Sequence, residues 1–339
     1  MTYYAACCQT DQPNPRDREQ MADNTTRIIE QLEQAVIGYR PFHDVKLVVF
    51  PEFAHAAPIY ESAEELSEKL AVEFPNRHTD RLADAARKHG VWIQSGSFLE
   101  VDPRWTDALF NSTVLISPEG EIVSRYRKVN PWIPWEVHTS PHDIEGYDED
   151  LFPVTETEIG KLGVATCYDW LFPETCRELT LGGAEVLIRI SAYMDPWGAS
   201  EPMDWWTVIN RCRAIENLAA VVACNQGASA SHYPPFSWPG ASMIIDPDGR
   251  ILAQAPTGPG QATVVAPVSL DNIRQQRRRR SGHAMPAHLR SSAYPLQRQE
   301  IFPPQIFPPQ IFPPQSSHRS PSIESLEQSI EEAKKRIGW

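Results

Sequence analysis

Residues 163–174 have the sequence Gly-Val-Ala-Thr-Cys-Tyr-Asp-Trp-Leu-Phe-Pro-Glu, which predicts a strand, a sharp connection and the start of a helix. The apolar run is typical of a buried strand, and Pro173 suits the first turn of a helix. Cys167 stands between them. A thiol just before a helix N-terminus lies near unpaired backbone N–H groups, which favour the thiolate. We therefore predict a nucleophile at Cys167, although a cysteine at a strand end is more often a small buried apolar residue.

Strands and helices alternate on both sides of this stretch. Before it, the patterns predict strands at 3–9, 46–50 and 91–99, helices at 23–39 and 79–89, and a hairpin at 109–126. After it, they predict helices at 173–181 and 203–217, strands at 186–191 and 220–224, and a hairpin at 242–255. This alternation is typical of a layered α/β domain.

Two charged residues also stand at the ends of predicted strands. Glu52 ends the apolar run 46–52, and Lys128 follows Arg125 and Arg127. Taken alone, Glu52 is typical of a solvated loop and Lys128 of a charged surface. Together with Cys167, however, they supply a carboxylate, an ammonium and a thiol, which can act as base, oxyanion partner and nucleophile.

This set resembles the carbon–nitrogen hydrolase (nitrilase-like) superfamily, which uses Glu, Lys and Cys to hydrolyse amide-type C–N bonds. The resemblance implies an α/β fold, a four-layer-forming α-β-β-α sandwich. It also implies that Glu52 is the base, that Lys128 and the Tyr168 N–H bind the oxyanion, and that Cys167 carries a thioester. The run from Arg127 to Glu136 is similar to that of aliphatic amidases and formamidases, which implies that Glu136 positions the substrate amide.

The same resemblance suggests where the substrate binds. We expect the pocket to include Tyr60, Trp132, Trp135, Tyr168, Trp170 and Tyr193. Aliphatic amidases have an acidic residue at position 168 and a small one at position 170, so the acyl pocket is expected to differ in shape. The expected reaction converts a small neutral (aliphatic) amide into a carboxylic acid and ammonia, without a metal or an organic cofactor.

Three alternatives stay open. An N-carbamoyl amide hydrolase typically carries an arginine where this chain has Trp170 and Leu171, and a nitrilase usually follows its nucleophile with Trp-Glu rather than Tyr-Asp. A glutaminase module would pass ammonia to a separate synthetase, since the chain has no ATP-binding glycine motif. A papain-like Cys–His pair is not favoured, because no histidine stands in a recognisable context for it.

Composition narrows the class of protein further. The net charge of −13 over 339 residues argues against a nucleic-acid surface. No apolar stretch approaches the length of a membrane span, and the N-terminus has no secretory pattern. The six cysteines form no disulfide framework or zinc spacing, so we expect a reduced, cytoplasmic protein without a metal site.

The C-terminal part differs from the rest. We predict a catalytic domain at 1–298 and an oligomerisation segment at 299–339. Within that segment Ile-Phe-Pro-Pro-Gln occurs three times over 301–315, which favours an extended arm. The apolar spacing from Ile323 to Ile337 predicts a short amphipathic helix that needs a partner. The resemblance implies a homodimer or a larger even-numbered assembly, and the alternative is a frayed tail.

Overall fold

A computed structural model describes residues 1–133, 135–194, 201–233, 237–294, 301 and 323–337. Two six-stranded mixed β-sheets pack on each other and are flanked by helices. The expected α-β-β-α sandwich is confirmed. Apart from Ile301, the three Ile-Phe-Pro-Pro-Gln units lie outside the described residues.

The first sheet has three parallel strands at its centre. Its strands are β1 (Thr2–Gln9), β2 (Val45–Val49), β3 (Trp92–Glu100), β4 (Phe110–Ile116), β5 (Ile122–Arg127) and β12 (Ala262–Ser269), in the order β12-β1-β2-β3-β4-β5. Strands β1, β2 and β3 are parallel, β3 to β5 are antiparallel neighbours, and β12 pairs antiparallel with β1. The helices of this half are α1 (Met21–Tyr39), α2 (Ala63–Lys69) and α3 (Arg77–His89).

The second sheet repeats this plan. Its strands are β6 (Val154–Thr157), β7 (Gly160–Thr166), β8 (Val186–Ser191), β9 (Ala220–Asn225), β10 (Met243–Ile245) and β11 (Ile251–Gln254). Strands β7, β8 and β9 are parallel, and the outer strands pair antiparallel. Helices α4 (Pro173–Leu181) and α5 (Trp205–Asn217) pack on this sheet. The chain continues with α6 (Leu270–Arg279), α7 (Met285–His288) and α8 (Ile323–Arg336).

The middle of strand β1, residues 5–8, is apolar without interruption because both of its faces are covered. Ala5 and Cys7 belong to the apolar core that the first sheet shares with the second, whereas Ala6 and Cys8 pack with Ile28 and other residues of α1. Successive side chains of a strand point to opposite faces. Because both faces are covered, neither can be polar, and the strand is a continuous apolar run instead of an alternating one.

The predicted strands, helices and hairpins are confirmed to within a few residues. Gly90 ends α3 in the left-handed conformation (φ 65°), as its place in the sequence indicates. Five regular elements, α2, β6, β12, α6 and α7, were not predicted. Pro267 inside β12 argues against a central strand, but β12 is an edge strand, where a proline is tolerated. Within the described residues, no helix is long and apolar enough to cross a membrane.

The topology decides where functional side chains can meet. Strand β2 is parallel to β3. Strand β4 is antiparallel to β3 and β5 is antiparallel to β4, so β5 runs in the same direction as β2 and β3. Glu52 follows β2, Lys128 follows β5, and Cys167 follows β7 in the second sheet. All three side chains therefore belong to the carboxyl ends of strands, where α/β proteins commonly bind ligands.

Candidate active site

Cys167 occupies a tight turn at the end of β7. Its φ of 48° is unusual for a residue with a side chain, and it opens a 3₁₀ turn at Cys167–Leu171. Asp169 closes the turn by accepting hydrogen bonds from the backbone N–H of Thr166 at 3.0 Å and from the hydroxyl of Tyr126 at 2.7 Å. Its other oxygen accepts from the backbone N–H of Asn130 at 2.8 Å. Asp169 therefore connects the turn by hydrogen bonds to residues of both sheets.

Glu52 is held by a close approach between the loop after β2 and strand β3. A Cβ on Gly96 would lie 2.6 Å from the carbonyl oxygen of Pro51, so only glycine fits at that position. The buried carboxylate of Glu52 accepts hydrogen bonds from Asn111 Nδ2 and from the backbone N–H of Ala192, each at 2.8 Å. Donors from both sheets thus fix its orientation.

Lys128 joins two carboxylates in the interior. Its Nζ donates to Glu52 at 2.9 Å and to Glu136 at 2.8 Å, and its side chain is fully buried. Burial alone would lower the pKa of Lys128, but the two glutamates raise that pKa above its ordinary value. The side chain is therefore an ammonium at neutral pH.

Glu136 is the second carboxylate of this cluster. Its Oε2 accepts from the backbone N–H of Trp132 at 2.7 Å, and His138 Nδ1 lies 3.7 Å from it. Burial would raise the pKa of Glu136, but the charge of Lys128 and contact with His138 outweigh burial and hold this pKa at about 2. Glu136 is ionised at neutral pH.

The Cys167 thiol differs from the expectation of a thiolate. Burial raises the pKa of Cys167 to about 12, and the nearby charge of Glu52 adds to that rise, whereas Lys128 and Arg189 oppose it. Helix α4 begins only at Pro173, after the intervening 3₁₀ turn, so Cys167 does not stand directly at the N-terminus of that helix as expected. The resting side chain is a thiol, so a base must remove its proton during attack.

A cavity of about 220 Å³ opens beside Cys167. The described residues that line it are Trp132, Cys167, Tyr168, Leu171, Ala192, Tyr193, Met194 and Trp205. The structure thus brings the predicted residues Trp132, Tyr168 and Tyr193 to the cavity. It also brings Glu52, Lys128 and Glu136 into one cluster, whose charges all act on Cys167.

The other three predicted pocket residues lie elsewhere. Trp170 is fully buried in the core, and its indole N–H donates to the carbonyl of Ala165 at 3.1 Å. Trp135 is 52% exposed and packs on Trp132 with ring centroids 4.5 Å apart. The hydroxyl of Tyr60 donates to the backbone carbonyl of Arg16 at 2.8 Å. None of these three side chains lines the cavity beside Cys167.

Several residues at the site were not predicted from the sequence. Arg189 is a buried cation in β8 that donates to Asn210 Oδ1 at 2.9 Å and to the Cys167 carbonyl at 3.4 Å. An arginine within the apolar run 186–191 was a signal that could have revealed it. Asn111 in β4 and Trp205 at the start of α5 gave no comparable signal in the sequence.

Comparison with known proteins gives consistent findings. The family model described as carbon–nitrogen hydrolase matches residues 4–278. A deaminated glutathione amidase of Rattus norvegicus is 34% identical over 199 residues, which is 57% of this chain and 58% of that protein, less than two thirds of its length. A formamidase of Helicobacter acinonychis (strain Sheeba) is 30% identical over 279 residues, covering 80% of this chain and 76% of the formamidase.

The fold is also similar to solved structures. A crystal structure of a Saccharomyces cerevisiae member of branch 10 of the nitrilase superfamily aligns with a TM-score of 0.67 at 25% sequence identity. The alignment covers 82% of this chain and 93% of the yeast chain. The similarity therefore extends over both sheets and their helices.

Proposed function

The chain belongs to the carbon–nitrogen hydrolase family, and we propose that it hydrolyses a neutral carboxamide to a carboxylic acid and ammonia. The observation that carries this proposal is the buried ammonium of Lys128, held between Glu52 and Glu136 and acting on the thiol of Cys167. The similarity to a formamidase and to a deaminated glutathione amidase supports an amide as the substrate.

The first chemical step joins the Cys167 sulfur to the amide carbonyl carbon. Glu52 takes the thiol proton as the sulfur attacks, because a thiol with a pKa of about 12 is a weak nucleophile until it loses its proton. The carbonyl oxygen becomes an oxyanion, which the Lys128 ammonium and the Tyr168 backbone N–H stabilise. A fixed cation in a buried site stabilises such a charge without reorganisation.

The following steps break the C–N bond and then restore the free enzyme. Glu52 gives its proton to the leaving nitrogen, ammonia departs, and a thioester with Cys167 remains. Glu52 then removes a proton from water as the water attacks the thioester. It returns this proton to the departing sulfur of Cys167, which releases the acid and restores the thiol. Glu136 stays ionised and accepts a hydrogen bond from the amide N–H₂ group, which orients the substrate.

Replacement of Cys167 by Ala tests the proposal. We expect ammonia release from amides to fall below detection while the fold is retained, since no other group can form the thioester. The matched control is Cys212→Ala, which removes an exposed cysteine of α5 and should leave turnover within twofold of wild type. Turnover by Cys167→Ala at a level near wild type would refute the assignment.

The alternatives are separated by the choice of substrate. Of the described residues that line the cavity, none is an arginine or lysine that could grip a carboxylate, which favours a neutral substrate over a carbamoyl amino acid. Ammonia release should therefore be measured for neutral amides, a carbamoyl amino acid, glutamine and the nitriles that match the amides. A nitrile hydrolysed faster than its matched amide would assign a nitrilase.

We further propose that copies of this chain associate. Leu181 on α4 and Val208 on α5 are 54% and 59% exposed, and Trp205, three residues before Val208, is also exposed. Apolar side chains on neighbouring helices are common at subunit interfaces. Residues 299–339 are proposed to strengthen this assembly, with 1–298 as the catalytic domain. The cytoplasmic location stays a prediction; all six cysteines are free thiols.

A further inference from the structure

We propose that the acyl group of the substrate is aromatic, either aryl or arylalkyl, rather than formyl or short aliphatic. This inference rests on the proposed function, because it takes Cys167 as the atom that attacks the carbonyl. It replaces the small aliphatic acyl group expected from the sequence. The inference depends on the size, the chemistry and the bracing of the cavity.

The size of the cavity is the first argument. Its volume is about 220 Å³. An engineered protein cavity of about 150 Å³, lined by apolar side chains, is large enough to bind benzene. A phenyl ring therefore fits beside Cys167 with room for the carboxamide. A formyl or acetyl group would leave most of the cavity without contact, and the walls would lose the dispersion attraction that a matched ligand supplies.

The chemistry of the lining is the second argument. Four described side chains of the wall are aromatic, namely those of Trp132, Tyr168, Tyr193 and Trp205. Leu171, Ala192 and Met194 add further apolar surface among the described lining residues. Aromatic rings attract one another in offset-stacked and edge-to-face arrangements, and a thioether packs well against a ring edge. A planar ring thus finds favourable partners on several sides of this cavity.

The third argument is that contacts with neighbouring residues hold the aromatic side chains of the cavity in place. Tyr168 packs edge-on against Phe172 with ring centroids 5.3 Å apart, and Trp132 packs against Trp135. Tyr193 is held through its backbone N–H, which donates to Asn225 Oδ1 at 2.8 Å. These contacts within the protein hold three of the four aromatic side chains in place. A pre-formed apolar slot favours a rigid planar group, which loses little freedom on binding.

The experiment compares kcat/KM for formamide, acetamide, benzamide and phenylacetamide. We expect the better aromatic amide to exceed acetamide by at least about tenfold, since a single methylene in an apolar pocket already changes kcat/KM by about that factor. A higher kcat/KM for formamide or acetamide than for both aromatic amides would overturn the inference and leave the proposed amidase function intact.

A pair of variants links this preference to the cavity. Leu171→Trp narrows the cavity and should lower the ratio of aromatic to acetamide kcat/KM by about tenfold. The matched control is Leu252→Trp, because Leu252 is exposed on β11 and does not line the cavity; its ratio should equal that of wild type. An unchanged ratio in a folded Leu171→Trp protein would contradict the assignment of the acyl group to this cavity.

A binding experiment keeps the inference testable apart from turnover. An aldehyde adds to a thiol when the sulfur bonds to the carbonyl carbon and the thiol proton moves to the oxygen. Phenylacetaldehyde should therefore protect Cys167 from iodoacetamide at lower concentrations than acetaldehyde, measured by peptide mapping in a Cys212→Ser background. Equal protection by the two aldehydes would overturn the inference. Preferential protection by phenylacetaldehyde without hydrolysis of any amide would refute the proposed function alone.

Discussion

Replacing Lys128 by Met is the perturbation for which the structure predicts the largest effect. Methionine is similar in length but has no charge, so the variant leaves Glu52 and Glu136 buried without the ammonium between them. Removing one partner of a buried ion pair typically costs about 3–5 kcal/mol, because the other charge stays in a poorly solvated place. We expect a loss of unfolding free energy of that size at pH 7, together with loss of activity.

The pH dependence of this loss is the sharper test. In wild type the folded-state pKa of Glu136 is about 2, below its ordinary value, so its contribution to stability is present above pH about 4.3 and is lost as the pH falls towards 2. Without Lys128, burial should instead raise the pKa of Glu136, and the folded variant is then destabilised as the pH rises from about 4.3 towards that raised pKa. Both effects make the difference in unfolding free energy between the variant and wild type smaller at pH 4 than at pH 7.

Chemical denaturation followed by tryptophan fluorescence at pH 4 and pH 7 measures this difference. The matched control is Lys161→Met, because the half-exposed Lys161 pairs with exposed Glu156; its effect should stay within about 0.5 kcal/mol. Adding Glu136→Gln to Lys128→Met should recover part of the lost stability by removing one buried charge. A loss below about 1 kcal/mol at pH 7, or an equal loss at both pH values, would refute the electrostatic account.

Three further outcomes can be checked. Glu136→Gln should lower kcat/KM for the best amide by about 100-fold through misplacement of the substrate, whereas a surface role would leave it unchanged. Tyr126→Phe removes a hydrogen bond to buried Asp169, and we expect it to lower the free energy of unfolding by about 1.5–3 kcal/mol in chemical denaturation. A loss of unfolding free energy smaller than that caused by Tyr39→Phe would contradict this expectation. Truncation after Gln299 should lower the oligomer mass in light scattering while amidase activity remains; an unchanged mass would show that the tail is not needed for assembly.

The fold was predictable where burial acts on both faces of an element. Continuous apolar runs marked β2, β7, β8 and β9, because parallel strands covered on both sides cannot contain an alternating polar face. Pro173 marked the start of α4 and Gly90 the end of α3 for local backbone reasons. The pairing of strands that are distant in sequence could not be predicted in this way. Strand β12 pairs with β1, and no local sequence pattern indicates that pairing.

The site was predictable to the level of single strand ends, but not to the level of side-chain direction. Tyr168 and Trp170 both follow Cys167 within three residues, yet only Tyr168 reaches the cavity. Trp170 turns into the core, where its indole N–H donates to the carbonyl of Ala165, and Leu171 lines the cavity instead. These side-chain directions depend on packing between distant parts of the chain, which a local sequence pattern does not record.

The balance of charge in the site explains why a neutral substrate suits it. At rest the buried cluster holds two carboxylates, Glu52 and Glu136, and one ammonium, Lys128, beside a neutral thiol. In the proposed attack, Glu52 is neutralised by the proton of Cys167 while a negative charge appears on the substrate oxygen, so the net charge of the interior does not change. The negative charge moves from one neighbour of Lys128 to another, which requires little electrostatic reorganisation. An anionic acyl group would bring a further negative charge into this interior, and no described residue of the cavity lining is a cation that could pair with it.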